Sequence, residues 1–228
     1  MTSSDPDRER LTAAYVAIDA ANAEDPRREA GAGGEELPRE LLYGRRMTAW
    51  LERLYPEAGT ALRLAARAQH IRRWEIPRRD YPDGRTGYLR WRRELQRRHA
   101  GHAAAILAGV GYPPETIERV RALLQKQGAG RDPDVARLED AICLVFLESE
   151  LTAFVARHPS EKIVEILRKT WVKMTPVGQA AARRLALPEP LGDLLAEALG
   201  EAGLASASPE GSNSPGLELP AMRANDKC

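Results

Sequence analysis

Apolar residues recur along this chain at three- and four-residue intervals, the period of an α-helix, and no alternating β-branched run stands out. The pattern predicts helices over residues 7–23, 38–54, 56–74, 88–110, 114–127, 134–157, 160–173, 176–185 and 190–201. Pro38, Pro114 and Pro176 suit the first turn of a helix, where a missing N–H costs nothing. Gly111 and Pro113 stop the helix before them. Asp25-Pro26 with Gly31, Gly33 and Gly34 marks one loop, and Pro82, Asp83-Gly84 and Gly87 mark another over 77–87. Beyond Gly203 the chain turns to Ser, Pro, Gly and Asn, which bury too little surface to offset chain entropy. The expected organisation is a flexible N-terminus (1–7), one compact all-α domain (8–202) and a disordered tail (203–228).

The same periodicity tells which polar groups point inward. On the 88–110 helix the apolar stripe is Tyr88, Trp91, Leu95, Ala103, Ile106 and Val110, with His99 at its centre and His102 towards one edge. A buried imidazole needs a partner for at least one ring nitrogen, so His99 is either a core histidine bonded to a neighbour or a ligand or acid–base group. The 134–157 helix is apolar nearly all round, yet Asp140 shares a face with Cys143, Leu144, Leu147 and Leu151, and Glu139 flanks it. A carboxylate there requires a cation, a metal or several donors, so a structural ion pair and a site role are both open. His70, extrapolated along its helix, falls with Arg63, Arg67 and Trp74 on a polar face, solvated or lining a basic cleft. His158, before Pro159, marks a helix junction.

Charge alters the picture locally. The 228 residues carry 34 Lys and Arg against 33 Asp and Glu, a formal net charge of +1. Residues 60–100, however, hold twelve arginines against Glu75, Asp80, Asp83 and Glu94, a net of +8, and the remainder sums to −7. Guanidinium groups bond phosphate or carboxylate in planar, bidentate fashion and stack on aromatic rings. Trp74, Tyr81, Tyr88 and Trp91 lie in that segment, which reads either as solvated helix faces or as an anion-binding surface. No run approaches the roughly 20 apolar residues of a membrane span, and the first residues lack a signal-peptide core. Cys143 and Cys228 offer neither a disulfide framework nor a zinc pattern, so the expected setting is the cytoplasm. Phosphate-binding loops, dinucleotide fingerprints and nucleophile elbows are missing from the sequence.

Several runs carry a resemblance. Glu40-Leu41-Leu42-Tyr43-Gly44-Arg45-Arg46-Met47, the stretch from Ala68 through Gln69-His70-Ile71 to Arg78, and Leu138-Glu139-Asp140-Ala141 resemble an uncharacterised domain-of-unknown-function family (number 4202). Tyr88-Leu89-Arg90-Trp91-Arg92 and Leu167-Arg168-Lys169-Thr170-Trp171 look similar too, and the likeness covers about residues 8–200. A more distant resemblance is to the HD superfamily of all-helical, metal-dependent phosphohydrolases. It implies that Gln69-His70 stands where a His-Asp pair would be, His99 where an additional His lies, and Asp140 at the late acidic position. Tyr43 stands where the first His belongs.

The resemblance implies His70, His99 and Asp140 as catalytic residues and as ligands of a divalent metal (Mn, Mg, Fe or Zn). With the arginine-rich segment it suggests a pocket of Arg46, Arg72, Arg73, Trp74, Arg78, Trp91 and Arg92 for a phosphorylated small molecule or nucleic acid. The expected function is binding of a nucleotide or RNA-type ligand in an HD-like helical protein, with phosphohydrolysis as a further step. The alternative is a helical adaptor whose arginine-rich surface meets an acidic protein.

Overall fold

The structure is a computed structural model, and it describes residues 5–31, 33–188 and 191–205. Residues 206–228, the bulk of the expected tail, lie outside the described residues, as do residues 1–4 of the expected N-terminal segment. The fold class is all-α: ten α-helices and one two-stranded hairpin among the described residues.

The first compact unit runs to Ala141. Helix α1 (Pro6–Ala23) begins where the Asp5 carboxylate accepts the Asp7 N–H and Pro6 fills the first turn. The expected loop that follows contains a short hairpin, β1 (Arg28–Ala30) paired antiparallel with β2 (Glu36–Pro38). Strands of three residues are too short for an alternating run to stand out, so the hairpin lies where the sequence predicts a loop. Helix α2 (Arg39–Leu54) follows directly, then α3 (Thr60–Arg67), α4 (Gly84–Val110) and α5 (Pro114–Leu124). Within this unit α1 packs on α2, α3 and α4, while α5 lies against α3 and α4.

Helix α4 carries the anticipated stripe as far as Ala103: Tyr88, Trp91, Leu95, His99 and Ala103 are buried, but beyond them Leu107 is buried while the expected Ile106 and Val110 are half-buried. Each large apolar side chain removed from water there stabilises the fold by roughly 1.5–3 kcal/mol. The helix starts four residues earlier than expected, because Gly87 sits inside its first turn against the Pro82 carbonyl rather than in a loop. It ends at Gly111, whose left-handed φ of 88° lets Tyr112 N–H bond Leu107 O.

The expected 56–74 helix is the main local correction. It is regular only to Arg67; residues 68–72 make tight turns, and Arg72 adopts a left-handed φ of 53°. No Pro or Gly stops the helix. Tertiary bonds do: the Arg72 N–H donates to the buried Asn22 Oδ1, 3.0 Å away on α1. This break turns His70 off the polar face that helical extrapolation gave it.

Helix α6 (Pro133–Val145) enters the second unit, which begins at Ile142. Residues 146–150 form a π-helical turn, and α7 (Leu151–Val155) continues, so the expected single helix over 134–157 is interrupted. Helices α8 (Ser160–Trp171), α9 (Pro176–Ala182) and α10 (Leu191–Ala205) complete the unit, with α8 packed on α10. Thr175 caps α9 by accepting the Gly178 N–H. Among the described residues no helix is long and apolar enough to cross a membrane.

Candidate functional site

Two histidines meet in the first unit. The rings of His70, in the turn after α3, and His99, on α4, have centroids 6.1 Å apart. His70 also stacks on Tyr43 of α2 at 3.8 Å. Its Nδ1 faces Oε2 of the buried Glu40 at 3.3 Å, and its Nε2 faces Nη1 of Arg73 at 3.2 Å. A carboxylate only accepts and a guanidinium only donates, so the tautomer is fixed: Nδ1–H donates to Glu40 and Nε2 accepts from Arg73. His99 Nδ1 lies 2.7 Å from the Ile71 carbonyl, which only accepts, so Nδ1 carries the proton there too. Its Nε2 is a bare acceptor, buried and without a partner among the described residues, as is Gln69 Oε1.

Electrostatics agree with neutral imidazoles. Burial, then the Arg73 cation, push His70 down to about 4 against the opposing pull of Glu40. Burial, with His70 and Arg73 nearby, takes His99 to about 3. Burial alone would raise the Glu40 carboxyl, but the hydrogen bond from His70 and the Arg73 and Arg27 cations hold it at about 2. Arg27 bridges Glu40 at 2.7 Å to the buried Asp25 at 3.0 Å, and Asp25 Oδ2 also accepts the Glu40 N–H. Two carboxylates and two guanidiniums thus form a balanced cluster beneath the histidines.

A divalent metal does not fit this donor set. A carboxylate that orients a histidine commonly aims the far ring nitrogen at a metal; here that nitrogen aims at the Arg73 guanidinium, a fixed cation. Asp140 is not gathered in: its Oδ2 accepts a 2.5 Å hydrogen bond from the Tyr55 hydroxyl. Among the described residues no three His, Cys, Asp or Glu side chains lie together as a metal would require, so His70, His99 and Asp140 form no metal triad. The neighbouring Glu139 pairs with Lys126.

Most of the anticipated arginine–tryptophan pocket is internally satisfied. Arg46 pairs with Glu29, and Arg72 with Glu24 and Glu75. Arg72 covers the ring of Trp74, Arg73 that of Trp91, and Arg92 that of Tyr88, with Cζ 5.5, 4.9 and 5.9 Å from the centroids. Arg78 donates to the Tyr81 carbonyl at 2.8 Å, and the Trp91 indole N–H to the Ile76 carbonyl at 2.8 Å. These contacts fasten segment 72–81 to α4 and place a guanidinium over one face of each ring.

The outer face of α4 is different. Arg90, Arg93 and Arg97 stand one turn apart and, with Tyr81 and Leu89, line an open hollow of about 560 Å³. Arg90 and Arg93 are exposed and carry no ion pair among the described residues. Glu94 is the acid in the lining, and its carboxyl is shared by Arg97 at 2.5 Å and Arg98 at 3.3 Å. The Arg97 hydrogen bond, and Arg98 behind it, keep that carboxyl ionised well below its usual range. Three guanidiniums and one carboxylate line the hollow, and Arg98, outside that lining, shares the carboxylate with Arg97. These residues were available to sequence reasoning: 90, 93 and 97 follow the i, i+3, i+7 spacing on the side of α4 away from Trp91 and Leu95.

An all-α protein with an internally paired histidine cluster and a basic helix face is the class that fold and geometry define. The chain belongs to the family described as domain of unknown function (DUF4202), whose family model matches residues 12–195. No curated protein and no solved structure matches the chain.

Proposed function

We propose that this protein binds a phosphate-bearing ligand, of nucleotide or RNA type, in the hollow on the outer face of α4. The observation that carries this is the pair Arg90 and Arg93, exposed and without ion pairs among the described residues, beside Arg97 and the ring of Tyr81. Guanidiniums with no internal acid are available to bond phosphoryl oxygens in bidentate fashion, whereas Arg46 and Arg72 are held by carboxylates. The HD-like architecture belongs to this proposal as a scaffold, supported by the order of His70, His99 and Asp140 along the chain. Its metal-dependent hydrolysis does not, because Arg73 faces His70 Nε2. We place the protein in the cytoplasm, on the support of a buried free thiol at Cys143.

The test is calorimetric titration of the full chain with ATP and with inorganic pyrophosphate. Binding that disappears in the Arg90→Gln/Arg93→Gln double variant is expected. Unchanged binding in that variant would sink the assignment of the site. An acidic protein partner is the second reading, favoured by the same unpaired guanidiniums. Capture of a polyglutamate peptide with no response to either phosphate compound would establish it in place of the first.

A further inference from the structure

Resting on that assignment of the site, we infer that its ligand is a single-stranded polynucleotide, held by successive phosphates along α4 with a base turned onto Tyr81. Two features of the hollow point away from a free nucleotide. Arg90 and Arg97 are seven residues apart, so the cationic track extends about 10 Å along the helix axis. A single nucleotide engages one end of such a track, whereas consecutive phosphates of a strand reach along all of it. Sites for small molecules also enclose most of their ligand, and this wall is open: Arg90 and Arg93 are exposed, and the Arg97 side chain is 67% exposed.

The apolar part of the lining points away from a duplex and from an acidic peptide. Tyr81 and Leu89 share the hollow with the arginines. Strand-binding proteins pair a cationic groove with aromatic side chains that stack on bases, and any base has a face to offer. A duplex keeps those faces within its own stack and would leave Tyr81 without a partner. An acidic peptide would satisfy the charges but not the ring. The Trp91 ring cannot serve instead, because Arg73 covers it and the indole is buried.

The number of phosphates neutralised can be read from salt dependence. Three phosphates, one for each arginine of the lining, predict a slope of about −2 in log affinity against log salt for a single strand, roughly a 20-fold loss between 50 and 200 mM. Removing two of them leaves a slope near −0.7, about threefold over the same range.

The experiment measures fluorescence polarisation of the full chain with a labelled single-stranded RNA dodecamer, with the matching duplex, ATP and polyglutamate as competitors. The expected result is a 20-fold salt effect that falls to about threefold in Arg90→Gln/Arg93→Gln. Tyr81→Leu should weaken strand binding several-fold while keeping the wild-type salt slope, which a merely electrostatic surface would not do. A duplex or polyglutamate that competes as well as the unlabelled strand would overturn the inference. So would a strand that binds no tighter than ATP while ATP binding still needs Arg90 and Arg93, and that outcome would leave the phosphate site itself standing. No response to any phosphate compound would remove both.

Discussion

The Arg73 guanidinium lies 3.2 Å from Nε2 of His70, at the end of the ring opposite the Glu40 carboxylate. The imidazole is therefore held between an anion on its protonated nitrogen and a cation on its bare one. Either a proton or a metal on Nε2 would have to displace or repel that cation. The guanidinium also covers the Trp91 ring, which ties the turn after α3 to the middle of α4.

Replacing Arg73 by Gln removes the charge and keeps a donor within reach of His70. With the cation gone the imidazolium is less disfavoured, so His70 should titrate roughly one pH unit above its value of about 4. Long-range imidazole 15N spectra across a pH series would follow it, since the chain has four histidines to resolve. In the parent protein added Zn or Mn should leave the His70 and His99 resonances unmoved. Stoichiometric metal binding that shifts both would contradict the role given to Arg73.

The same cluster sets an acid limit on folding. His70 and His99 titrate in the folded protein near 4 and 3, against 6.5 when unfolded, and Glu40 near 2 against 4.5. In each case the unfolded chain takes up the proton first as pH falls. Their contribution is thus complete above pH 6.5 and is lost between 6.5 and about 3 for the histidines, then between 4.5 and 2 for Glu40. For each histidine this is on the order of a few kcal/mol, more for His99 than for His70. Urea unfolding midpoints should drop steeply from pH 7 to pH 4. His99→Asn, whose amide N–H can replace Nδ1–H towards the Ile71 carbonyl, should flatten that slope; an unchanged slope would place the acid sensitivity elsewhere.

Asp140 separates from the histidines in the same kind of measurement. Tyr55→Phe removes the hydroxyl that donates to its fully buried carboxylate, at a cost of about 2 kcal/mol. The phosphate-ligand affinity should stay at the parent value, because neither residue lines the α4 hollow. A loss of binding without a loss of stability would return Asp140 to the site.

How far the chain announced its own structure depended on which force set each element. The α4 stripe was legible because helical period alone decides it, and His99 fell inside as its position at the stripe's centre requires. His70 was misplaced because every residue from Ala68 to Trp74 tolerates a helix. The turn there is imposed from outside by Asn22, which takes the Arg72 N–H, and by Trp91, which holds Ile76. Asp140 was recognised as a buried carboxylate, but its partner Tyr55 lies 85 positions away in sequence, beyond any local pattern. The arginine-rich segment was visible as composition. Which arginines are internally spent depends on distant acids such as Glu24 and Glu29, and only the fold brings those near.

Gly87 links the stability of the fold to the shape of the proposed groove. A Cβ there would lie 1.9 Å from the Pro82 carbonyl oxygen, a backbone atom with no rotamer by which to retreat. Gly87→Ala must push segment 81–83 off the first turn of α4, at a cost on the order of 2 kcal/mol. Because Tyr81 rides on that segment, its ring moves while Arg90, Arg93 and Arg97 stay on the body of the helix. The variant should melt several degrees lower and bind a single strand more weakly, with an unchanged salt slope. Gly101→Ala is the matched control. It sits in the interior of the same helix with nothing within 4 Å of the new methyl, and should stabilise the protein by about 0.5–1 kcal/mol without altering binding. If Gly87→Ala binds the strand as the parent does, Tyr81 has no part in recognition and the groove acts through charge alone.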